Sequence, residues 1–339
     1  MVNPVYAPAA DRYENGMAYR RCGRSGVLLP EVSLGLWHNF GDVNPLSNSL
    51  AMAHYAFDHG ITHFDLANNY GPSYGSAEET FGQIMKKSFR PYRDELFVAT
   101  KAGYDMWPGP YGNWGSRKYL MASLDQSLKR MGLDYVDLFY THRYDPDTPL
   151  EETLQALVDI VRQGKALYVG ISRYPASAAE KAYRYLAERD VHCLIYQGRY
   201  NLFDRAPEEQ GILDQAHHHG VGFIGFSPLA QGLLTSRYLQ GVPEDSRMAQ
   251  GRFLKRETLT EAVAAKIKAL NEVATERGQT LAEMALAWVL ANEKVTSVIV
   301  GASSVAQLED NLKALRKPGF TRQELERIET ICRLPDGGK

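Results

Sequence analysis

From about residue 31 onward the chain switches repeatedly between two hydrophobic periods. Short apolar runs rich in β-branched and aromatic residues predict strands over 31–36, 62–66, 96–101, 135–142, 167–172, 192–197, 221–226 and 296–300. Between them, apolar residues at helical spacing predict helices. Leu50, Ala53 and Phe57 precede Gly60. Phe81, Ile84 and Met85 follow a Ser76…Glu79 capping pattern, and Leu120, Leu124 and Leu128 form one stripe beginning near Ser116. Another helix opens at Thr148-Pro149-Leu150-Glu151, where Thr148 is placed to cap, Pro149 to take the first turn and Glu151 to close the box. Further helices are expected from about Ser177, over 207–219, from Thr260, Thr280 and Ser304, and over 321–332 with a Thr321…Glu324 box.

Before this alternation, 18–21 and 27–29 flank Gly23-Arg24-Ser25-Gly26 and read as a β-hairpin preceded by a polar arm. Eight strands with helical crossovers predict parallel pairing, and the count favours a closed (β/α)₈ TIM barrel with an N-terminal hairpin and extra C-terminal helices. No G-x-G-x-x-G follows the first strand, which argues against an open dinucleotide-binding sheet. No Pro/Ser/Gly linker divides the run, so 1–339 reads as a single domain with its ordered barrel over about 17–334.

Composition narrows the partners. Of 339 residues 44% are hydrophobic and 23% charged, ordinary for a globular chain large enough to bury a sizeable core. A net charge of -2 gives no electrostatic footprint for nucleic acid or an anionic membrane, so the expected partner is a small molecule. Nothing approaches 18 consecutive apolar residues, and Met1 to Ala10 lacks a signal-peptide pattern, so a cytoplasmic setting is expected. Cys22, Cys193 and Cys332 are too scattered for a disulfide framework or a thiolate zinc site. His217-His218-His219 is no chelate either, because consecutive helical residues splay around the axis; no metal is expected.

In a barrel of this kind chemistry sits at the C-terminal ends of the strands. Those ends offer Asp65 and Tyr70, then Lys101, His142, Ser172 with Arg173, and Gln197. A tyrosine is a weak acid near pH 7, and an adjacent ammonium pulls its pKa down. Lys101 supplies that charge, Asp65 holds the lysine, and His142 orients a carbonyl oxygen: a general acid for a carbonyl receiving a hydride. Trp37, Tyr104, Trp107 and Trp114 belong to loops able to wall a compact pocket, and Arg143, Arg117 and Lys118 are candidate cations for an anionic substrate.

Phe64-Asp65-Leu66-Ala67-Asn68-Asn69-Tyr70-Gly71, Ala99-Thr100-Lys101 and Tyr140-Thr141-His142 together resemble the aldo-keto reductase family, with Leu66 where a Thr is usual. The likeness runs from Leu34 to Asn311 and implies Asp65, Tyr70, Lys101 and His142 as the catalytic tetrad, with Tyr70 the proton donor. It implies NADP(H) as cofactor. Ser172, Arg173 and Gln197 would hold the nicotinamide carboxamide, Phe226 would stack on the ring, and Ser227, Leu229 and Gly232 would line the pyrophosphate loop. Gly301, Ser303, Gln307, Asp310 and Asn311 match the adenosine segment, while Arg237 and Arg247 match basic residues that one branch uses for the 2′-phosphate. Gly35 and Trp37 border the same cofactor cleft, and Trp37, Tyr70, Trp107 and His142 face the substrate.

Within the family, Ser33 to Gly41 and Lys101 to Gly112 resemble a bacterial branch that reduces L-glyceraldehyde 3-phosphate. That implies a three-carbon phosphorylated aldehyde or methylglyoxal as substrate and a homo-oligomer, tetramer or octamer. Two alternatives are a cofactor-sensing regulatory subunit of the potassium-channel β type, in which Asn stands at the position of His142, and a Schiff-base aldolase using Lys101.

Overall fold

The computed structural model describes residues 6–239 and 258–335. An antiparallel hairpin, β1 (Tyr19–Arg21) with β2 (Leu28–Pro30), precedes eight strands that close into a parallel barrel. These are β3 (Val32–Gly35), β4 (His63–Asp65), β5 (Phe97–Ala102), β6 (Val136–Thr141), β7 (Ala166–Ser172), β8 (Cys193–Arg199), β9 (Gly222–Phe226) and β10 (Val295–Val300). They neighbour one another in chain order, and β10 pairs with β3 to shut the ring. Each falls on one of the predicted runs, so the TIM-barrel expectation holds.

The hairpin plugs the end of the barrel where the strands begin. Arg20 donates to the carbonyl of Val295 at 3.0 Å, and the Arg24 amide to that of Gly220 at 2.9 Å. Gly23 sits at φ 55°, where an added Cβ would lie 2.0 Å from the Gly220 oxygen, so only glycine permits this approach. Cys22 and Leu29 pack with Ala99, Leu138, Ile195, Ile224 and Ile299. With that end sealed by apolar side chains, the opposite mouth is where a site has room.

Outside the strands lie α1 (Leu46–Asp58), α2 (Ser76–Ile84), α3 (Arg117–Met131), α4 (Leu150–Arg162), α5 (Ala176–Ala187), α6 (Ala206–Glu209), α7 (Ile212–His219), α8 (Glu261–Glu276), α9 (Leu281–Leu290), α10 (Val305–Leu312) and α11 (Arg322–Cys332). The predicted stripes point inward: Leu120, Leu124 and Leu128 of α3, Ile267 and Leu270 of α8, and Leu281, Met284 and Trp288 of α9 are buried. The Thr321–Glu324 capping box forms.

Three local expectations fail. Thr148 caps nothing: its hydroxyl donates to Asp145 Oδ2 at 2.6 Å, and Pro149 occupies the cap position without a side-chain bond. Ser76 likewise turns back to the Ser73 carbonyl at 2.6 Å, leaving Gly75 as the cap. The helix expected over 207–219 is broken by Gly211, which adopts φ 69°. In the first two cases the hydroxyl is turned to donate to a nearby oxygen and does not accept from a helix amide. The stretch after α2 tightens and loosens into π (Met85–Phe89) and 3₁₀ (Arg90–Glu95) turns that the apolar spacing did not announce.

Candidate active site

Strand register brings the predicted polar residues to one mouth. Asp65 terminates β4, and the chain then turns tightly: the Tyr70 amide donates to the Ala67 carbonyl and the Gly71 amide to that of Trp37, both at 3.0 Å. Lys101 lies near the end of β5 opposite Tyr140, and His142 follows β6 with its amide bonded to the Ala102 carbonyl at 2.8 Å. Ser172 and Gln197 are partners across β7 and β8.

Lys101 and Asp65 form a buried ion pair. The ammonium is fully buried, Asp65 is 2% exposed, and Nζ lies 2.6 Å from Oδ2. Lys101 also donates to the Leu66 carbonyl at 2.6 Å, and Gln197 Nε2 donates to Asp65 Oδ1 at 2.9 Å. Each charge is therefore paired and further hydrogen-bonded, which a buried pair requires. The ammonium sits 4.8 Å from the centre of the Tyr70 ring, and the His142 ring stands 5.7 Å from that of Tyr70 at 72°.

The electrostatics differ from the sequence expectation. Burial raises Tyr70 well above its usual pKa, and the Asp65 and Tyr104 oxygens add to the rise, with only Arg173 opposing it. In the resting site, burial and the Asp65 carboxylate therefore outweigh any lowering by the neighbouring cations. Burial lowers the Lys101 pKa, while Asp65 and Glu78 act to raise it. Burial, then Lys101, Arg173 and Arg143, drives His142 well below its ordinary value. Near neutral pH the mouth thus holds a protonated phenol and a neutral imidazole whose Nδ1 has no hydrogen-bond partner. Both rings remain half-buried, facing the opening.

Beside this set lies a run of unusual backbone. Ser227, Ala230 and Gln231 have φ of 52°, 47° and 59°, and Gly232 has 102°. These turns close on themselves: the Ala230 amide donates to the Ser227 carbonyl at 2.9 Å, and the Gly232 and Leu234 amides donate to that of Leu229 at 2.8 and 3.2 Å. Phe226 and Leu229 are half-buried at the same rim. Ser172 Oγ and Asn311 Nδ2 are buried without hydrogen-bond partners, donors that a polar ligand would satisfy. Ser303, after Gly301, donates amide and hydroxyl to Gln307 Oε1 at 2.8 and 3.0 Å, while Asn39 and Asn48 brace this loop through the Ala302 and Ser303 carbonyls. The two unpaired donors, Ser172 and Asn311, fit a polar cofactor such as a dinucleotide.

Some predicted residues behave differently. Gly35 is required by packing, since a Cβ there would meet Ile299 at 2.5 Å. Gln197 directs its amide nitrogen to Asp65, and Asp310 pairs with Lys313 at 2.6 Å. Arg237 lies exposed on a 3₁₀ turn, and Arg247 is outside the described residues. Trp37 stands 6.4 Å from Tyr70, whereas Trp107 packs 5.1 Å from Tyr119, one step back from the phenol. Arg117 is paired with Asp159, and Lys118 lies over Tyr111.

One contributor was missed. Glu78 of α2 is fully buried, accepts from Thr100 at 2.5 Å and pairs with Arg130 at 2.7 Å, clamping β5 from outside directly before Lys101. Its signal was a carboxylate on the apolar face of α2, spaced with Phe81.

The sequence profile of the aldo/keto reductase family matches residues 31–333. The chain belongs to this family. An L-glyceraldehyde 3-phosphate reductase of Escherichia coli O157:H7 is 56% identical over 329 residues, 96% of this chain and 95% of that protein. The protein of the same name from strain K12 is 55% identical over the same shares. A probable voltage-gated potassium channel subunit beta of Arabidopsis thaliana is 36% identical over 93% of this chain and 96% of its own. This aldo/keto reductase is thus an oxidoreductase by family, and the family generally uses NADP(H). Among the described residues no helix is long and apolar enough to cross a membrane.

Proposed function

We propose that this aldo/keto reductase reduces short aldehydes to alcohols with NADPH, with L-glyceraldehyde 3-phosphate or methylglyoxal as substrate and Tyr70 as proton donor. The carrying observation is the buried Lys101–Asp65 pair beneath a protonated Tyr70, with a neutral His142 across from it. The cofactor supplies the hydride when bound. Ser172 and Asn311 offer it their unpaired donors.

Two groups at the mouth are candidates to deliver the proton, and their electrostatics choose between them. His142 is neutral at pH 7, so its remaining N–H is suited to donate a hydrogen bond to the aldehyde oxygen and orient it, not to act as the acid. Tyr70 keeps its proton until the oxygen gains negative charge. Once the proton leaves, the phenolate lies beside the Lys101 ammonium, whose charge is stabilised by Asp65 and the Leu66 carbonyl. Stabilisation that grows as charge develops accelerates the step.

The 17–334 region acts in this reading as one domain, working in the cytoplasm, where its free cysteines stay reduced. The test follows absorbance at the reduced-nicotinamide band with purified protein, NADPH and a panel of aldehydes. Oxidation of NADPH dependent on a short aldehyde is expected. Cofactor binding without turnover would point to a sensing subunit, and aldol cleavage without cofactor would point to Lys101 as a Schiff base.

A further inference from the structure

Two guanidinium groups converge on one tyrosine at the barrel mouth. Arg143 lies between two rings, its Cζ 4.3 Å from the centre of Tyr104 and 3.4 Å from that of Trp114. Its Nε donates to the Gly103 carbonyl and its Nη2 to Asn113 Oδ1, both at 2.7 Å. Arg173 comes from the far side. Its backbone is held at φ 57°, and its Nη1 donates to the Tyr104 hydroxyl at 3.0 Å. Tyr104 in turn sets its ring edge-on against His142, with centroids 4.7 Å apart at 89°. Both cations are thereby placed next to the imidazole that faces the aldehyde.

Among the described residues the polar partners of these two groups are neutral oxygens, with no carboxylate. Two positive charges about one ring repel each other, and among the described residues neither is in a direct ion pair; the Asp105 carboxylate reaches Arg143 only through the Asn113 side chain. Arg143 is also locked in direction by two hydrogen bonds and two rings, which reduces the entropy lost when its fork engages a ligand. Its Nη1 makes no hydrogen bond among the described residues. A fixed guanidinium with spare donors, doubled by a second one, matches the charge and the three oxygens of a phosphate monoester.

We infer that Arg143 and Arg173, organised by Tyr104, form the subsite that holds the phosphate of a short phosphorylated aldehyde while His142 and Tyr70 address its carbonyl. The inference rests on the reductase reading above and assigns the residues that make the substrate phosphorylated. Arg143 is the principal ligand. Arg173 adds charge and, through its tether, depends on the Tyr104 hydroxyl.

The test measures kcat/KM for L-glyceraldehyde 3-phosphate and for L-glyceraldehyde in the wild type, Arg143→Gln, Arg143→Lys and Tyr104→Phe. The wild type is expected to prefer the phosphorylated aldehyde by ~10-fold or more, about the worth of one charge-assisted contact. Arg143→Gln should lower that ratio at least ~10-fold, Arg143→Lys by less, and Tyr104→Phe by a few-fold. Inorganic phosphate should inhibit reduction of the unphosphorylated aldehyde competitively with aldehyde, and more weakly in Arg143→Gln. This arm, with Arg143→Lys, still decides the matter if Arg143→Gln does not fold. Ratios unchanged in the variants, or phosphate competing only with cofactor, would overturn the subsite. Equal rates with both aldehydes in the wild type remove the subsite but leave the reductase, whereas reduction of neither removes both.

Discussion

Replacing Asp65 by Asn removes one charge from a pair whose members are 0% and 2% exposed and 2.6 Å apart. The asparagine keeps an acceptor for Gln197 Nε2 but leaves the Lys101 ammonium buried with only the Leu66 carbonyl and the more distant Glu78 to favour it. Breaking a buried pair from one side costs ~3–5 kcal/mol, because a lone charge stays in a low-dielectric interior. The charge escapes by losing its proton, since burial already lowers the Lys101 pKa and Asp65 supplies the largest opposing effect. Asp65→Asn should therefore lose several kcal/mol in urea unfolding at pH 7 and at least ~10²-fold in turnover. The decisive comparison is the double variant Asp65→Asn/Lys101→Met. With no stranded charge it should regain much of the lost stability while staying inactive. A double variant as unstable as the single one would refute the claim that uncompensated charge is the cause, and an active double variant would remove Lys101 from the chemistry.

Three further outcomes are expected. Burial pushes His63 down to about 4 from its usual 6.5, so the unfolded chain binds a proton there before the native state does. Stability from this residue is complete above pH ~6.5 and is lost as pH falls toward 4, by about 3 kcal/mol in all, and His63→Asn should remove that much of the acid dependence in urea titrations. Alanine at both Arg237 and Arg247 should raise the Kd for NADPH well over ~10-fold and leave NADH nearly unchanged, as read by fluorescence titration; equal losses would place the arginines elsewhere. Glu78→Gln strands Arg130 against the outside of β5 and should cost about 3 kcal/mol by urea unfolding, with a melting-point loss of several degrees.

The barrel was legible because each strand announces itself by an apolar run and each crossover by a helical stripe, and eight such units have one compact closure. Asp65, Tyr70, Lys101 and His142 were legible for the same reason: they stand at strand ends, which the fold collects at one mouth. Direction of charge was not. Whether the Tyr70 pKa ends above or below its usual value depends on how far the phenol is desolvated and on the Asp65 carboxylate, which lies 2.6 Å from Lys101, and spacing along the chain encodes neither. Capping failed where a local rival existed. Asp145 accepts from the amides of Asp147 and Thr148 as well as from the Thr148 hydroxyl, a turn that Asp145-Pro146-Asp147-Thr148 does spell out. Glu78 was hidden because its partners, Thr100 and Arg130, come from β5 and α3 and meet only in the folded chain. Arg143, Arg117 and Lys118 looked equivalent as cations until α4 claimed Arg117 through Asp159.

The most direct test of the account is the rate of NADPH oxidation by Tyr70→Phe with L-glyceraldehyde 3-phosphate, set beside its Kd for NADPH. The ring, its packing under Trp37 and its contact with Lys101 survive the change, and only the proton is lost. Turnover should fall ~10²-fold or more while the Kd for NADPH stays within about twofold of the wild type. Aldehyde reduction at a near-normal rate by this variant would contradict the assignment of Tyr70 as the acid.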